Sequence, residues 1–263
     1  MQSNNRLIEK SINSHFLLAP LLWVAAIIVL LLVWAFTEPE TAVRFFDQAG
    51  YSPFELATIP VFAAIIPLAW WKCPFAGSKR RKLTLLMMLT VVVIMAIVKE
   101  LDWHRDILHW CYPDFIGEDG GVLDGKLFKP NGDEIGGTPF KSRVLFNSGA
   151  PLGMRALIFA YFALFFGVFA AGFVYLLPSF VKGVFRLEDS AWAAGCFGAS
   201  GVLVQISDRL PAWTNHLKAF NLSGENEIAA TKALCTVIEE GGEMMIALFA
   251  LLTIYLSSKR LKG

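Results

Sequence analysis

From Phe16 to Phe36 the chain runs through roughly 21 residues without a charge, the length an α-helix needs to cross about 30 Å of hydrocarbon. Further apolar runs follow at 54–71, 83–98, 156–177, 191–206 and 233–256. A chain that is 56% hydrophobic and only 17% charged, with mean hydropathy +0.54, departs from the soluble average toward the membrane class. The expected fold is an all-α integral membrane protein, six transmembrane helices in one bundle and one domain over residues 1–263. The first run is too long for the ~7–15-residue core of a signal peptide, and no small-x-small cleavage site follows Phe36. Pro60 and Pro67 predict kinks inside the second span, and Pro178 predicts the end of the fourth.

Basic residues set the orientation. Lys72, Lys79, Arg80, Arg81 and Lys82 crowd the second connection, while Lys259, Arg260 and Lys262 close the chain. Cytoplasmic loops collect Lys and Arg, so these segments, with Arg6, Lys10, Lys182 and Arg186, put both termini in the cytoplasm of a cell inner or plasma membrane. Residues 99–155 and 207–231 then lie outside, with 110–150 as a small extracytoplasmic cap. Within it Val122 to Lys129, followed by Asn131-Gly132, reads as a hairpin. The basic clusters form no continuous stripe, which argues against nucleic acid as a partner and leaves the lipid bilayer and a lipid-like substrate. Cys73, Cys111, Cys196 and Cys235 are far apart and make no CxxC pair, so neither a zinc ribbon nor a disulfide framework is expected.

The last span carries the most costly residues. Thr231 to Leu256 is apolar except for a polar band containing Glu239, Glu240 and Glu243. An ionised carboxylate at mid-bilayer costs about 3 kcal/mol on translocon scales, so three of them facing lipid would oppose insertion. A protein or water-filled interior, a cation or protonation must offset them. At about 100° per residue, Glu239, Glu243 and Glu240 fall near 0°, 40° and 100°, with Lys232 and Thr236 on the same arc. Leu234, Val237, Ile238, Met245 and Leu248 make the opposite, apolar arc, which faces lipid or neighbouring helices.

A second dense set begins at the end of the third span, Lys99-Glu100-Leu101-Asp102-Trp103-His104-Arg105-Asp106 through His109. If the helix continues, Glu100 stands above His104, and Asp102, Asp106 and His109 share another face. Glu and His at i, i+4 suit a metal ion, and a carboxylate beside an imidazole also suits acid–base chemistry. The topology brings Asp208 and His216 to the same outer side, along with Arg143 and Arg155, which could pair with a substrate phosphate or with the carboxylates. The expected site is an outward-opening polar cavity with Glu100, Asp102, His104, Asp208, Glu240 and Glu243 in catalytic roles. Glu100, His104, Glu239, Glu240 and Glu243 are its candidate ligands for a divalent metal ion, and Arg143, Arg155 and His109 would contact substrate.

Other motifs are weaker. Gly198-Ala199-Ser200-Gly201 is similar over four residues to the GxSG of rhomboid proteases, but the last span offers no histidine base, so no nucleophile is assigned to Ser200. Gly195, Gly198 and Gly201 instead predict close helix packing. HExxH is absent, and Asn221-Leu222-Ser223 fits a glycosylation sequon. A membrane-embedded enzyme acting on an amphiphilic substrate is favoured over a proton- or cation-coupled carrier, because the inner halves of the spans are nearly bare of polar groups. An accessory or assembly subunit is the third expectation.

Overall fold

A computed structural model describes residues 14–46, 52–128, 132, 134–135, 139–140, 142–146, 149–216 and 225–260, with the side chains of 14–15, 142–143, 211–216 and 225–228 outside that description. Arg6, Lys10, Asn131, the Asn221 sequon and Lys262 therefore fall outside the described residues. A one-turn 3-10 helix at Ser14–Leu17 leads into α1 (Leu18–Phe36), followed by α2 (Pro39–Phe46), α3 (Pro53–Lys72) and α4 (Lys79–Glu100). Then come α5 (Trp103–Cys111), α6 (Leu152–Phe185), α7 (Asp189–His216) and α8 (Glu225–Arg260). The described residues contain no strand, only isolated antiparallel bridges at Ile116–Val122 and Phe128–Glu134.

Four of these helices, α1, α3, α4 and α6, are long and apolar enough to cross a membrane. Their apolar side chains are turned outward: only 11% of the apolar window of α1 and 6% of that of α6 is buried. Leu21, Val29 and Phe36 of α1 and Phe159, Phe166 and Val174 of α6 are exposed. In water such surfaces would be a large aggregation liability; in lipid they carry no penalty.

The chain forms two compact units, one drawn from residues 1–82 and 176–263, the other from 83–175. In the first, α8 is the axis. It packs against α7, α3, α2 and α1, and α7 in turn meets α1. Ala233, Val237, Ile238, Met245 and Phe249 of α8 join Ala19, Leu30, Ala42, Phe46, Ala193 and Cys196 in one core. The apolar arc of α8 therefore faces neighbouring helices, with Leu248 left exposed. Two glycines permit this closeness. A Cβ on Gly241 would stand 2.4 Å from Cδ2 of Leu30 in α1, and one on Gly242 would stand 2.5 Å from Cγ2 of Val204 in α7.

Local chemistry sets the boundaries. Ser52 caps α3 with a full capping box: its Oγ accepts from the Glu55 N–H at 3.0 Å, and its own N–H donates to the Glu55 carboxylate at 2.7 Å. Pro53 follows at the first helical position, where a missing N–H costs nothing. α3 runs unbroken through Pro60 and Pro67, whose rings lie on its exposed side. Pro178 likewise does not end its helix, contrary to expectation; α6 continues to Phe185, with a π turn at Ala163–Gly167. Ending the helix in an apolar environment would strand several carbonyls, whereas the proline leaves only one without its donor.

The fifth run also differs from expectation, because α7 is 28 residues long and its glycines do not pack closely. A Cβ on Gly198 or Gly201 would meet nothing within 4 Å, and one on Gly195 would only touch the Phe180 ring at 4.0 Å. Ser200 is structural: its Oγ accepts from Trp23 Nε1 at 3.0 Å and donates to the Cys196 carbonyl at 2.9 Å. The Trp23 bond ties α1 to α7, and the Cys196 bond fixes the Ser200 hydroxyl within α7.

In the second unit the segment after α4 folds on its own small core. Leu108, Ile116, Val122, Leu127, Ile135, Val144 and Ala150 pack with Met154 and Ile158 from the start of α6. α5 is held there by Leu108, and its C-terminal end is closed by the Tyr112 N–H donating to the Leu108 carbonyl at 2.8 Å.

Candidate functional site

The stretch from Lys99 to His109 is not one continuous helix. α4 stops at Glu100, Asp102 adopts a left-handed conformation with φ 50°, and α5 starts at Trp103. Aspartate tolerates this region better than most residues. The break removes the i, i+4 register, so Glu100 does not stand one turn below His104. Asp102 is solvent-facing and paired with Arg105 Nε at 3.3 Å. Exposed pairs of this kind contribute about 0–1 kcal/mol.

His104 sits in an aromatic setting. Its ring stacks on Tyr161 of α6, centroids 5.3 Å apart and planes 17° apart, and meets Phe140 edge-on at 4.6 Å. Nδ1 lies 3.4 Å from the Val98 carbonyl. A carbonyl can only accept, so this contact assigns the ring proton to Nδ1 and leaves the Nε2 lone pair for a proton or a cation. Burial pushes the imidazole below its ordinary value, against the pull of the Asp102 carboxylate and the Val98 carbonyl; Arg105 and Lys99 push it down further.

That shift predicts a pH dependence. The folded segment holds His104 neutral, whereas the unfolded chain takes up a proton below pH ~6.5. Stability conferred by the neutral ring is therefore present above that value and is lost as pH falls toward the lower folded value. Amides of residues 104–128, corrected for intrinsic exchange, should lose hydrogen-exchange protection between pH 7.5 and 5 in the native chain. His104→Phe should flatten the dependence. Equal pH profiles for the two chains would contradict the assignment.

The remaining residues of the second unit occupy varied settings. Glu100 has a side chain only 5% exposed, with Lys99 Nζ 3.3 Å from its carboxylate. His109 is half-buried, its Nδ1 2.9 Å from the Ile116 carbonyl, which ties α5 to the following loop. Arg155 is half-buried at the start of α6, and its Nε has no hydrogen-bond partner among the described residues. Arg143 lies in the short helical turn Ser142–Leu145, its side chain outside the described set.

In the first unit, α8 brings two of the three glutamates near its middle together. Carboxylate oxygens of Glu240 and Glu243 lie within 4.8 Å of one another, and Glu243 is buried, at 8% exposure. Residues three apart on a helix share a face, so the pairing follows from the spacing. Glu239, half-buried, is outside this pair. Asp208 is exposed near the end of α7 and lies 3.4 Å from Arg209 Nε. His216 ends α7 with its side chain outside the described set.

Two carboxylates with oxygens this close form a hard, anionic, oxygen-rich site. Oxygens bound at about 2.1–2.5 Å to one Mg²⁺, Mn²⁺ or Ca²⁺ ion stand at most ~5 Å apart, so a single cation can bridge the pair without remodelling the backbone. Nothing in the sequence marks Gly241 and Gly242 as contact positions. They place the walls of α1 and α7 against the backbone between the two acids, and their partners Leu30 and Val204 are remote in the chain.

Four membrane-length apolar helices with outward-facing apolar side chains are the features of a helical membrane protein. No protein-family model matches the chain, and no curated protein or solved structure resembles it at a significant level.

Proposed function

We propose that the chain is a six-span inner- or plasma-membrane enzyme, both termini cytoplasmic, that uses a divalent cation on an amphiphilic, lipid-like substrate. Glu240 and Glu243 hold the cation at the acidic face of α8. The sequence expectation adds Glu100 as a further carboxylate, His104 as a neutral base and Arg155 as a counter-charge for the substrate's anionic group. The observation that carries this reading is the Glu240–Glu243 pair, half-buried and buried in turn, on a helix whose other face packs into an apolar core. Two carboxylates in such a setting are costly to keep for structure alone. A cation held by the pair would offset their repulsion and supply the charge to polarise a phosphoryl or carbonyl oxygen of the substrate.

The test is turnover without a gradient. Detergent-purified protein incubated with a total bacterial lipid extract and Mn²⁺ should convert a lipid species detectable by mass spectrometry. Chelation or Glu243→Gln should abolish the conversion. Wild-type protein that converts nothing in detergent, but moves solute when reconstituted in vesicles under a proton gradient, would make the chain a carrier.

A further inference from the structure

Helix α5 is amphipathic in a way that the proposed chemistry does not use. Trp103, Ile107 and Trp110 fall at about 0°, 40° and 340° around its axis, one stripe along its whole length. All three are exposed, Trp110 at 76%. Leu108, near 140°, is 1% exposed and belongs to the small core beneath. The helix thus has its inner face satisfied and presents two indoles and an isoleucine outward.

We infer that α5 lies in the plane of the membrane surface and immerses Trp103, Ile107 and Trp110 at the headgroup–acyl boundary of a zwitterionic bilayer. Continuity with the lipid-facing surface selects this occupant. α5 begins within three residues of the end of α4, whose Leu83, Met87 and Ile94 are exposed along a membrane-length helix. Through Leu108 it shares a core with Met154 and Ile158 in the first turns of α6, whose exposed Leu157 and Phe159 face outward on the same helix. Two spanning helices therefore fix α5 at the level where both leave the bilayer. The left-handed Asp102 is the corner that turns the chain out of the α4 axis. Residue type agrees, since the amphipathic indole is enriched at this depth. Charge separates the lipid classes. Lys99 is paired with Glu100 and Arg105 with Asp102, so the segment offers no free cationic cluster to draw anionic headgroups.

Depth measurement by spin labelling tests the inference on the full chain. With Cys73 and Cys111 replaced by serine, a nitroxide is placed at Ile107→Cys or, separately, Trp110→Cys. Each chain is reconstituted at one copy per phosphatidylcholine nanodisc. A label at Asp124→Cys, exposed in the loop, serves as the water reference, and one at Phe166→Cys, exposed near the middle of α6, as the hydrocarbon reference. The ratio of oxygen to nickel-chelate collision rates at both α5 positions should lie between the two references, at least threefold above the water value. A water-like ratio at both positions overturns the inference. So does protection from both relaxants, which would mean that protein covers the stripe. The use of two positions guards against one substitution disturbing the helix.

Discussion

Placing valine at both Gly241 and Gly242 is expected to prevent the first unit from assembling. Each site lacks room for even one carbon. The added Cβ on residue 241 would meet Leu30 Cδ2 at 2.4 Å, Cδ1 at 2.6 Å and Cγ at 3.0 Å, and the one on residue 242 would meet Val204 Cγ2 at 2.5 Å. Leu30 and Val204 are themselves buried, so neither can swing into open space. Overpacking of this kind costs about 1–3 kcal/mol for one methylene and more for a branched side chain. The gain in helix propensity on leaving glycine is below about 1 kcal/mol and smaller for valine than for alanine. Steric cost therefore wins at each position, and because α1 and α7 are pushed from one short stretch of α8, the two effects compound. The expected result in detergent is a chain that aggregates or melts well below wild type. Leu30→Ala should restore much of the loss of Gly241→Ala alone, and Val204→Ala that of Gly242→Ala. Wild-type melting of the double valine chain would show that the helices are not held this closely.

These glycines mark the limit of what the sequence discloses. Long apolar runs reveal four helices plainly, since a run such as Phe16 to Phe36 has few alternatives to a spanning helix. The spacing of Glu240 and Glu243 likewise suffices to predict one shared face. Breaks and continuations are harder to see. Pro178 reads as a stop because the rule comes from water, where freed carbonyls are solvated; the structure carries the helix through. Asp102 reads as one more helical residue, because the register of Glu100 and His104 is attractive and nothing local announces a left-handed turn. Gly198 and Gly201 of α7 look like packing glycines and face open space, while Gly241 and Gly242, hidden between acids, are the ones in close contact. Glycine content does not say where a partner is. That depends on Leu30 and Val204, whose nearness arises only when α8 becomes the axis of its unit. The short amphipathic helix α2, packed on α8, is illegible in the sequence for the same reason.

The second large effect is expected at the carboxylates. If Glu240 and Glu243 share one cation, removing either charge takes away a ligand and part of the electrostatic attraction in a poorly solvated site. Glu243→Gln and Glu240→Gln preserve shape and should each weaken Mn²⁺ binding by at least 100-fold, with the double substitution abolishing it. Because stabilisation by a bound ion requires its ligands, the glutamine variants should gain no thermal stability from added Mn²⁺, whereas the wild-type chain should gain. Asp208→Asn is the control: Asp208 is exposed and beside Arg209, so its change should leave binding within twofold. Glu239→Gln, just outside the pair, should weaken binding only several-fold through the local field.

Mn²⁺ titration of the detergent-purified chain, followed by the loss of the free-ion paramagnetic resonance signal, addresses the paired-carboxylate site most directly. One tightly held ion per chain is expected, lost in Glu243→Gln and kept in Asp208→Asn. A wild-type chain that holds no Mn²⁺, or one whose binding survives the Glu240→Gln/Glu243→Gln double substitution, would contradict a cation site on α8.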